Sequence, residues 1–222
     1  MEEIPQGGAG GVPLHHEGAE AEEGRRPAAS TDREDGTEKD MASLRNKTIA
    51  FLVAPEGAEQ VELTSPWEAV KAAGGAPRLV STKAGKVRAF HHLTPGDSFP
   101  VDAVVADVSA ADFDALVLPG GVANPDHLRM DPRAVDFVRG FFSRAKPVAV
   151  ICHGPWTLVE AGALRGRTLT SWPSLRTDLA NAGAHWVDSE VYVDRSGPNT
   201  LVSSRKPGDL PAFNRALVEQ FG

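Results

Sequence analysis

The residue most clearly suited to catalytic chemistry is Cys152, the only cysteine of the chain. It follows the apolar run 148–151, which predicts a buried strand, and precedes Gly154-Pro155, which predicts the start of a helix. The helix N-terminus at such a turn offers unpaired N–H groups and a positive dipole end, which lower the pKa of a thiol. With His153 next to it, Cys152 is typical of a nucleophile elbow that carries sulfur. The alternative is a small apolar residue of the core.

A second loop could complete a site around the thiol. Gly120 and Gly121 follow the apolar run 115–118, and glycine lets the backbone approach a bound group closely. If the N–H groups of Gly121 and His153 converge, they form an oxyanion hole for charge that develops on a carbonyl oxygen. The alternative for Gly120 and Gly121 is an ordinary tight turn.

Carboxylates lie in the predicted loops at the same edge of the sheet. Glu56, Glu59 and Glu62 follow the first predicted strand, and one that points into an apolar cleft would have a raised pKa and could move a proton beside the thiol. Asp126 could orient His153, or it could be a surface acid of its loop. The alternative for all three glutamates is exposure to solvent.

Aromatic and histidine residues complete the candidates. Trp156 and Trp172 could line a substrate pocket with Gly120, although large aromatic residues are more often part of the core. The pairs at 15–16 and 91–92 have no further ligands at metal-binding spacing, so we predict exposed polar residues there and no metal site.

Buried strands alternate with helices along the chain, which predicts an α/β fold with a doubly wound, mostly parallel sheet sandwiched by helices. A peripheral hairpin is predicted at 83–101. Ligands of such folds collect at the carboxyl ends of the strands, where the loops 56–62, 119–126 and 152–155 are expected. The predicted strands are 48–53, 78–82, 115–118, 148–151, 168–170, 191–193 and 200–203, and the predicted helices are 60–73, 132–144, 155–161, 175–181 and 209–221.

Composition divides the 222 residues into two parts. Residues 1–44 are predicted to be a disordered, acidic, glycine-rich extension, because residues 1–40 carry the whole formal charge of −7 and no aromatic residue. Residues 45–222 are predicted to form one domain, formally almost neutral, which argues against a nucleic-acid partner. We find neither a membrane-spanning apolar stretch nor a secretory signal, and a single cysteine fits the cytoplasm.

Six motifs, in this order, give residues 47–221 a resemblance to the PfpI-like intracellular protease branch of the DJ/PfpI superfamily. That superfamily is related in fold to the class I glutamine amidotransferases and is flavodoxin-like. The motifs are Glu59-Gln60-Val61-Glu62-Leu63, Leu116-Val117-Leu118-Pro119-Gly120-Gly121, Ala149-Val150-Ile151-Cys152-His153-Gly154-Pro155, Leu164-Arg165-Gly166-Arg167, Thr170-Ser171-Trp172-Pro173, and Asn181-Ala182-Gly183-Ala184-His185-Trp186-Val187-Asp188.

The resemblance implies a role for each matching residue. Cys152 would be the nucleophile, Glu59 the buried acid hydrogen-bonded to it, and His153 the base. Gly121 and His153 would form the oxyanion site. Asp126 matches a carboxylate, often Glu, that reaches the histidine from a neighbouring subunit, so a homodimer or a homohexamer built as a trimer of dimers is expected.

The function implied by the resemblance is that of a cofactor-free, cysteine-dependent stress-response enzyme. Its substrates would be reactive carbonyls or peptides, as in a glyoxalase III, a protein deglycase or a PfpI-type peptidase. The alternative of another class is a redox sensor or holdase chaperone that uses an oxidisable Cys152. An amidotransferase is disfavoured, because the only histidine far downstream of the cysteine, His185, lacks the glutamate of their His-x-Glu signature.

Overall fold

The computed structural model describes residues 43–222, so the predicted extension at 1–44 lies almost wholly outside the described residues. The strands are β1 Thr48–Val53, β2 Glu56–Glu59, β3 Ala76–Ser81, β4 Lys86–His91, β5 Thr94–Pro100, β6 Ala103–Val104, β7 Ala115–Leu118, β8 Val148–Ile151, β9 Thr168–Leu169, β10 His185–Trp186, β11 Val191–Asp194 and β12 Leu201–Ser204. The α-helices are α1 Gln60–Ala72, α2 Ala123–Arg129, α3 Pro132–Ser143, α4 Pro155–Glu160, α5 Arg176–Asn181 and α6 Leu210–Phe221. None of these helices is both long and apolar enough to span a membrane.

The main sheet has seven strands in the order β11-β12-β8-β7-β1-β3-β6. All neighbours pair in parallel except β11 and β12, which are antiparallel. Strands β7 and β8 are buried at every residue, as expected of strands covered on both faces. The predicted doubly wound α/β fold is therefore confirmed.

Helices cover both faces of this sheet and form two cores. On one face, α1 and α6 pack against the sheet, where Phe51 and Phe213 are fully buried. On the other face, α2 to α5 pack against the sheet, where Phe141 and Leu158 are fully buried. The carboxyl ends of β1, β7 and β8 meet at one edge between these layers, because the three strands are parallel neighbours.

Two of the three predicted loops contain regular structure. Strand β2 occupies residues 56–59 and joins the predicted hairpin, β4 and β5, as a parallel edge strand of β4. Helix α2 begins at Ala123, inside the predicted loop 119–126, and includes Asp126. Pro125 fits there, because the N–H groups of a first helical turn have no partner within the helix.

Candidate functional site

Cys152 lies between β8 and α4 with a φ of 61°. That conformation is uncommon for a residue other than glycine and strains the backbone. The strain is offset by two hydrogen bonds: the Cys152 N–H donates to the Ser204 carbonyl (3.0 Å), and the Cys152 carbonyl accepts from the Trp172 N–H (3.0 Å). The thiol is thus presented on a fixed, sharp turn, the geometry of a nucleophile elbow.

Gly120 and Gly121 pass directly beside this turn. A Cβ at position 120 would come within 2.6 Å of the Cys152 Cβ and 2.5 Å of Glu62 Oε2. Gly121 has a φ of 83°, and a Cβ there would lie 2.1 Å from the Gly57 carbonyl oxygen. Only glycine fits either position. The close approach brings the Gly121 N–H, together with the His153 N–H, within hydrogen-bonding reach of the Cys152 sulfur.

The carboxyl group beside the thiol belongs to Glu62, which corrects the expectation of Glu59. Glu62 is fully buried, its Oε2 accepts the Gly120 N–H (3.0 Å), and its carboxyl group is hydrogen-bonded to Cys152. Glu59 is also buried, but its Oε2 accepts the N–H of His92 (2.9 Å) in the β4–β5 turn. Glu59 therefore fastens that hairpin to the start of α1.

The position of each glutamate relative to the start of α1 explains why Glu62, and not Glu59, lies beside the thiol. The helix begins at Gln60, and Glu62 lies on the same buried face as Pro66 and Val70, four and eight residues further on. Val61, the residue before Glu62, is 38% exposed. The spacing of 62, 66 and 70 is the sequence signal that would have identified Glu62.

Burial controls the protonation of this site. Burial raises the pKa of Glu62 to about 8, so its carboxyl group is mainly protonated at neutral pH. Burial also raises the pKa of the Cys152 thiol, and negative charge on Glu62 raises it further, whereas the N–H groups of Gly121 and His153 lower it. The expected lowered thiol pKa is therefore wrong for this structure, because desolvation outweighs the backbone N–H groups. Burial lowers the pKa of His153, because the charged form of an imidazole is the protonated one.

His153 is placed to take a proton from the thiol. Its Nδ1 lies 3.3 Å from the Cys152 sulfur. The imidazole is neutral at neutral pH, since its lowered pKa favours the uncharged form. Trp156 and Trp172, which we predicted to line the pocket, both contact the ring. The structure thus brings together Cys152, His153, Trp156 and Trp172 with the glycine turn.

Asp126 does not reach this cluster within the described chain. It is exposed on α2 and makes no hydrogen bond to His153. Val122 and Met130 flank it at four-residue spacing and are 55% and 70% exposed, so the three side chains share one outward face of the helix. Within one subunit, Asp126 is therefore not placed to orient His153.

Asn124 is a residue of the site region that the sequence did not reveal. Its side chain is fully buried; Oδ1 accepts the Ala54 N–H (2.7 Å), and Nδ2 donates to the carbonyls of Pro119 (2.9 Å) and Gly120 (3.1 Å). Asn124 thereby joins the chain after β1 to the chain after β7 and fixes the glycine turn. An asparagine in a predicted loop carries no pattern that distinguishes this role from a solvent contact.

Metal ligation has no candidate in this part of the molecule. Across residues 43–222, His, Cys, Asp and Glu nowhere gather in threes that could hold a metal ion. His92 lies in the hairpin turn held by Glu59, with its side chain exposed.

Comparison with known sequences identifies close relatives. A protein-family model described as the DJ-1/PfpI family matches residues 47–220. The protein named Deglycase PfpI from Pyrococcus furiosus is 44% identical over 171 residues, which are 77% of this chain and 97% of the relative. Protein/nucleic acid deglycase 2 from Escherichia coli is 42% identical over 80% of this chain and 99% of its own. General stress protein 18 from Bacillus subtilis is 45% identical over 73% of this chain and 92% of its own.

Comparison with solved structures gives the same fold. A two-domain protein from Anabaena variabilis, with DJ-1/ThiJ/PfpI-like and ferritin-like domains, superposes with a TM-score of 0.72 at 33% identity. The match covers 79% of this chain and 50% of that one. The names of the sequence relatives support an enzymatic role.

Proposed function

The chain belongs to the DJ-1/PfpI family, and we propose that it is a cofactor-free enzyme in which Cys152 attacks reactive carbonyl compounds. The observation that carries the proposal is the set of groups around the thiol. A neutral base, His153, lies 3.3 Å from the sulfur, Glu62 is hydrogen-bonded to it, and the N–H groups of Gly121 and His153 are directed at it. Relatives named as deglycases support the choice of carbonyl chemistry.

The first step forms a carbon–sulfur bond. The thiol proton moves to His153 Nδ1 while the sulfur attacks the aldehyde carbon, and the electron pair of the C=O bond passes to the oxygen. The N–H groups of Gly121 and His153, which lie beside the sulfur, stabilise that negative oxygen. Transfer of the proton from the imidazolium to the oxygen then gives a neutral hemithioacetal.

For methylglyoxal, the remaining steps move two protons and add one water. A base removes the proton from the carbon bonded to sulfur, which gives an enediol, and a proton is delivered to the neighbouring carbon. The hydroxyl proton of the hemithioacetal passes to the former ketone oxygen, and the product is a thioester of lactate. His153 and Glu62 are the titratable groups near enough to serve. Water then hydrolyses the thioester, which releases lactate and restores the Cys152 thiol.

The exposure of the thiol favours small substrates over peptides. Cys152 is only 7% exposed, and Trp172 stacks on the neighbouring His153 ring. Two clefts of the described residues, about 590 and 280 Å³, are lined by other residues and do not include Cys152. An extended peptide would need open space at the sulfur, whereas a two- or three-carbon aldehyde needs little.

The test is to incubate the full chain with methylglyoxal and, separately, with a fluorogenic peptide. We expect lactate to accumulate from methylglyoxal, with no lactate from the matched Cys152→Ala variant. Peptide cleavage without lactate would overturn the proposal in favour of a peptidase. Neither product, with Cys152 converted to sulfinic acid by peroxide, would favour the redox sensor, because a protonated Glu62 can donate a hydrogen bond to a sulfinate.

We also propose that Asp126 orients His153 across a subunit boundary. Two observations support it: Asp126 lies on an exposed face of α2 between two exposed apolar residues, and within residues 43–222 no side chain is hydrogen-bonded to His153 Nε2. A carboxylate at Nε2 would fix the tautomer in which Nδ1 accepts the thiol proton. The complete site would then exist only in a dimer or a larger oligomer.

Mixing an impaired variant with an inactive one tests this arrangement. We expect Asp126→Ala to lower turnover by roughly tenfold or more, as loss of a group that orients a catalytic base can. Mixing it with Cys152→Ala under conditions of subunit exchange should restore part of the activity, because some mixed interfaces pair an intact cysteine with an intact aspartate. A fully active monomer by light scattering would contradict the shared site, as would mixed oligomers that gain nothing.

A further inference from the structure

Two indole rings pack against the imidazole of His153. The Trp172 ring is stacked on it, with ring centroids 5.8 Å apart and an interplanar angle of 25°. The Trp156 ring meets it at 62°, with the centroids 5.4 Å apart. His153 is 8% exposed, so the two indoles form much of its surroundings.

The backbone of Trp172 and the indole of Trp156 are held in place by hydrogen bonds of their own. The Trp172 N–H donates to the Cys152 carbonyl, its carbonyl accepts the Ser171 hydroxyl (2.9 Å), and Pro173 restricts its backbone to an extended conformation. The Trp156 indole N–H donates to Asp178 Oδ2 (2.8 Å). The Trp172 backbone and the Trp156 ring are therefore positioned without a substrate.

These rings matter most when His153 carries a proton. The imidazolium that forms when His153 takes the thiol proton is shielded from water, and shielding disfavours the charge. The face of an indole attracts a cation, and a carboxylate that accepts the indole N–H increases the negative charge of the ring. Asp178 is placed to do so for Trp156.

We propose that Trp156 and Trp172 are positioning residues that orient the His153 ring and stabilise its imidazolium form. The inference rests on the proton transfer in the proposed function and assigns the two tryptophans a role beyond lining a pocket. The titratable group in contact with His153 is Cys152 on the same turn. Glu62 on α1 is hydrogen-bonded to Cys152, and Asp178 acts through Trp156.

The test follows the imidazole resonances of His153 by NMR as the pH changes, in the full chain without substrate. All variants carry Cys152→Ser, so that no thiol titrates, and Glu62 titrates at higher pH because its pKa is about 8. We expect Trp172→Leu to lower the pKa of His153 by roughly half a unit, which is the shift expected from the loss of one cation–π contact. Trp172→Phe should lower it less, because the benzene ring retains part of the attraction.

The opposite result is expected if the indoles only cover the site. Removal of Trp172 would then admit water, which favours the charged form, and the pKa of His153 would rise. A rise or an unchanged value in both Trp172→Leu and Trp172→Phe overturns the proposal.

Two further variants keep the test independent of packing damage. Asp178→Asn leaves both rings in place and should lower the pKa of His153 by a smaller amount, since Asp178 is exposed on α5. Trp67→Phe is the matched control: its ring packs on Phe51 (5.1 Å), outside the His153 site, and the pKa of His153 should not change. No step of this titration measures turnover. The titration can therefore contradict the role of the tryptophans while the proposed function stands, and the activity test can contradict the proposed function while the role of the tryptophans stands.

Discussion

Replacement of Cys152 by serine is expected to reduce kcat/KM for methylglyoxal at least roughly a thousandfold, to the level of Cys152→Ala. Serine fills nearly the same volume in the buried turn and keeps both backbone hydrogen bonds. Its hydroxyl, however, is a far weaker acid than a thiol. The buried imidazole of His153, whose pKa is lowered, is a weak base and removes that proton far less readily.

The measurement is the rate of lactate formation by full-length wild-type and variant proteins that unfold at similar temperatures. A covalent thioester on Cys152, trapped by acid quench and detected by mass spectrometry, would show directly that the reaction depends on the sulfur. Activity of the serine variant within tenfold of wild type would contradict a sulfur nucleophile. Cys152 would then be a core residue of the elbow.

The elbow and the sheet were predictable because their signals are local. Strands β7 and β8 are continuous apolar runs that end at Gly120 and Cys152, and parallel neighbours must bring those ends together. The Gly-Pro pair after His153 marks the helix start without any knowledge of the tertiary structure. The contact between the glycine turn and the thiol follows from this topology alone.

The partners of the thiol were not predictable in the same way. Glu59 and Glu62 are three residues apart, and a helix that starts at Gln60 places one before its first turn and the other on its inner face. The boundary depends on β2, which exists because its backbone pairs with β4 about thirty residues away. The raised pKa of the Cys152 thiol likewise comes from segments that bury it, including the chain around Ser204 and Trp172.

The second large effect is expected from Glu62→Gln, which should lower kcat/KM about a hundredfold. The amide oxygen can still accept the Gly120 N–H, so the turn keeps its shape, but the amide can no longer exchange a proton with sulfur or substrate. Glu59→Gln is the matched control. Its amide oxygen can still accept the His92 N–H, and we expect turnover to change less than about threefold. Equal losses in the two variants would contradict the assignment of Glu62.

The same substitution should change how stability depends on pH. In the folded protein the pKa of Glu62 is raised from 4.5 to about 8, so between these pH values the folded state binds more protons at this site than the unfolded state does. The contribution of Glu62 to the free energy of unfolding is therefore full below pH 4.5 and is lost as the pH rises to 8. Denaturant unfolding of wild type and Glu62→Gln across this range should show the wild type losing stability relative to the variant. A constant difference would mean that Glu62 is already ionised at neutral pH, and the site would lack the protonated acid beside its sulfur.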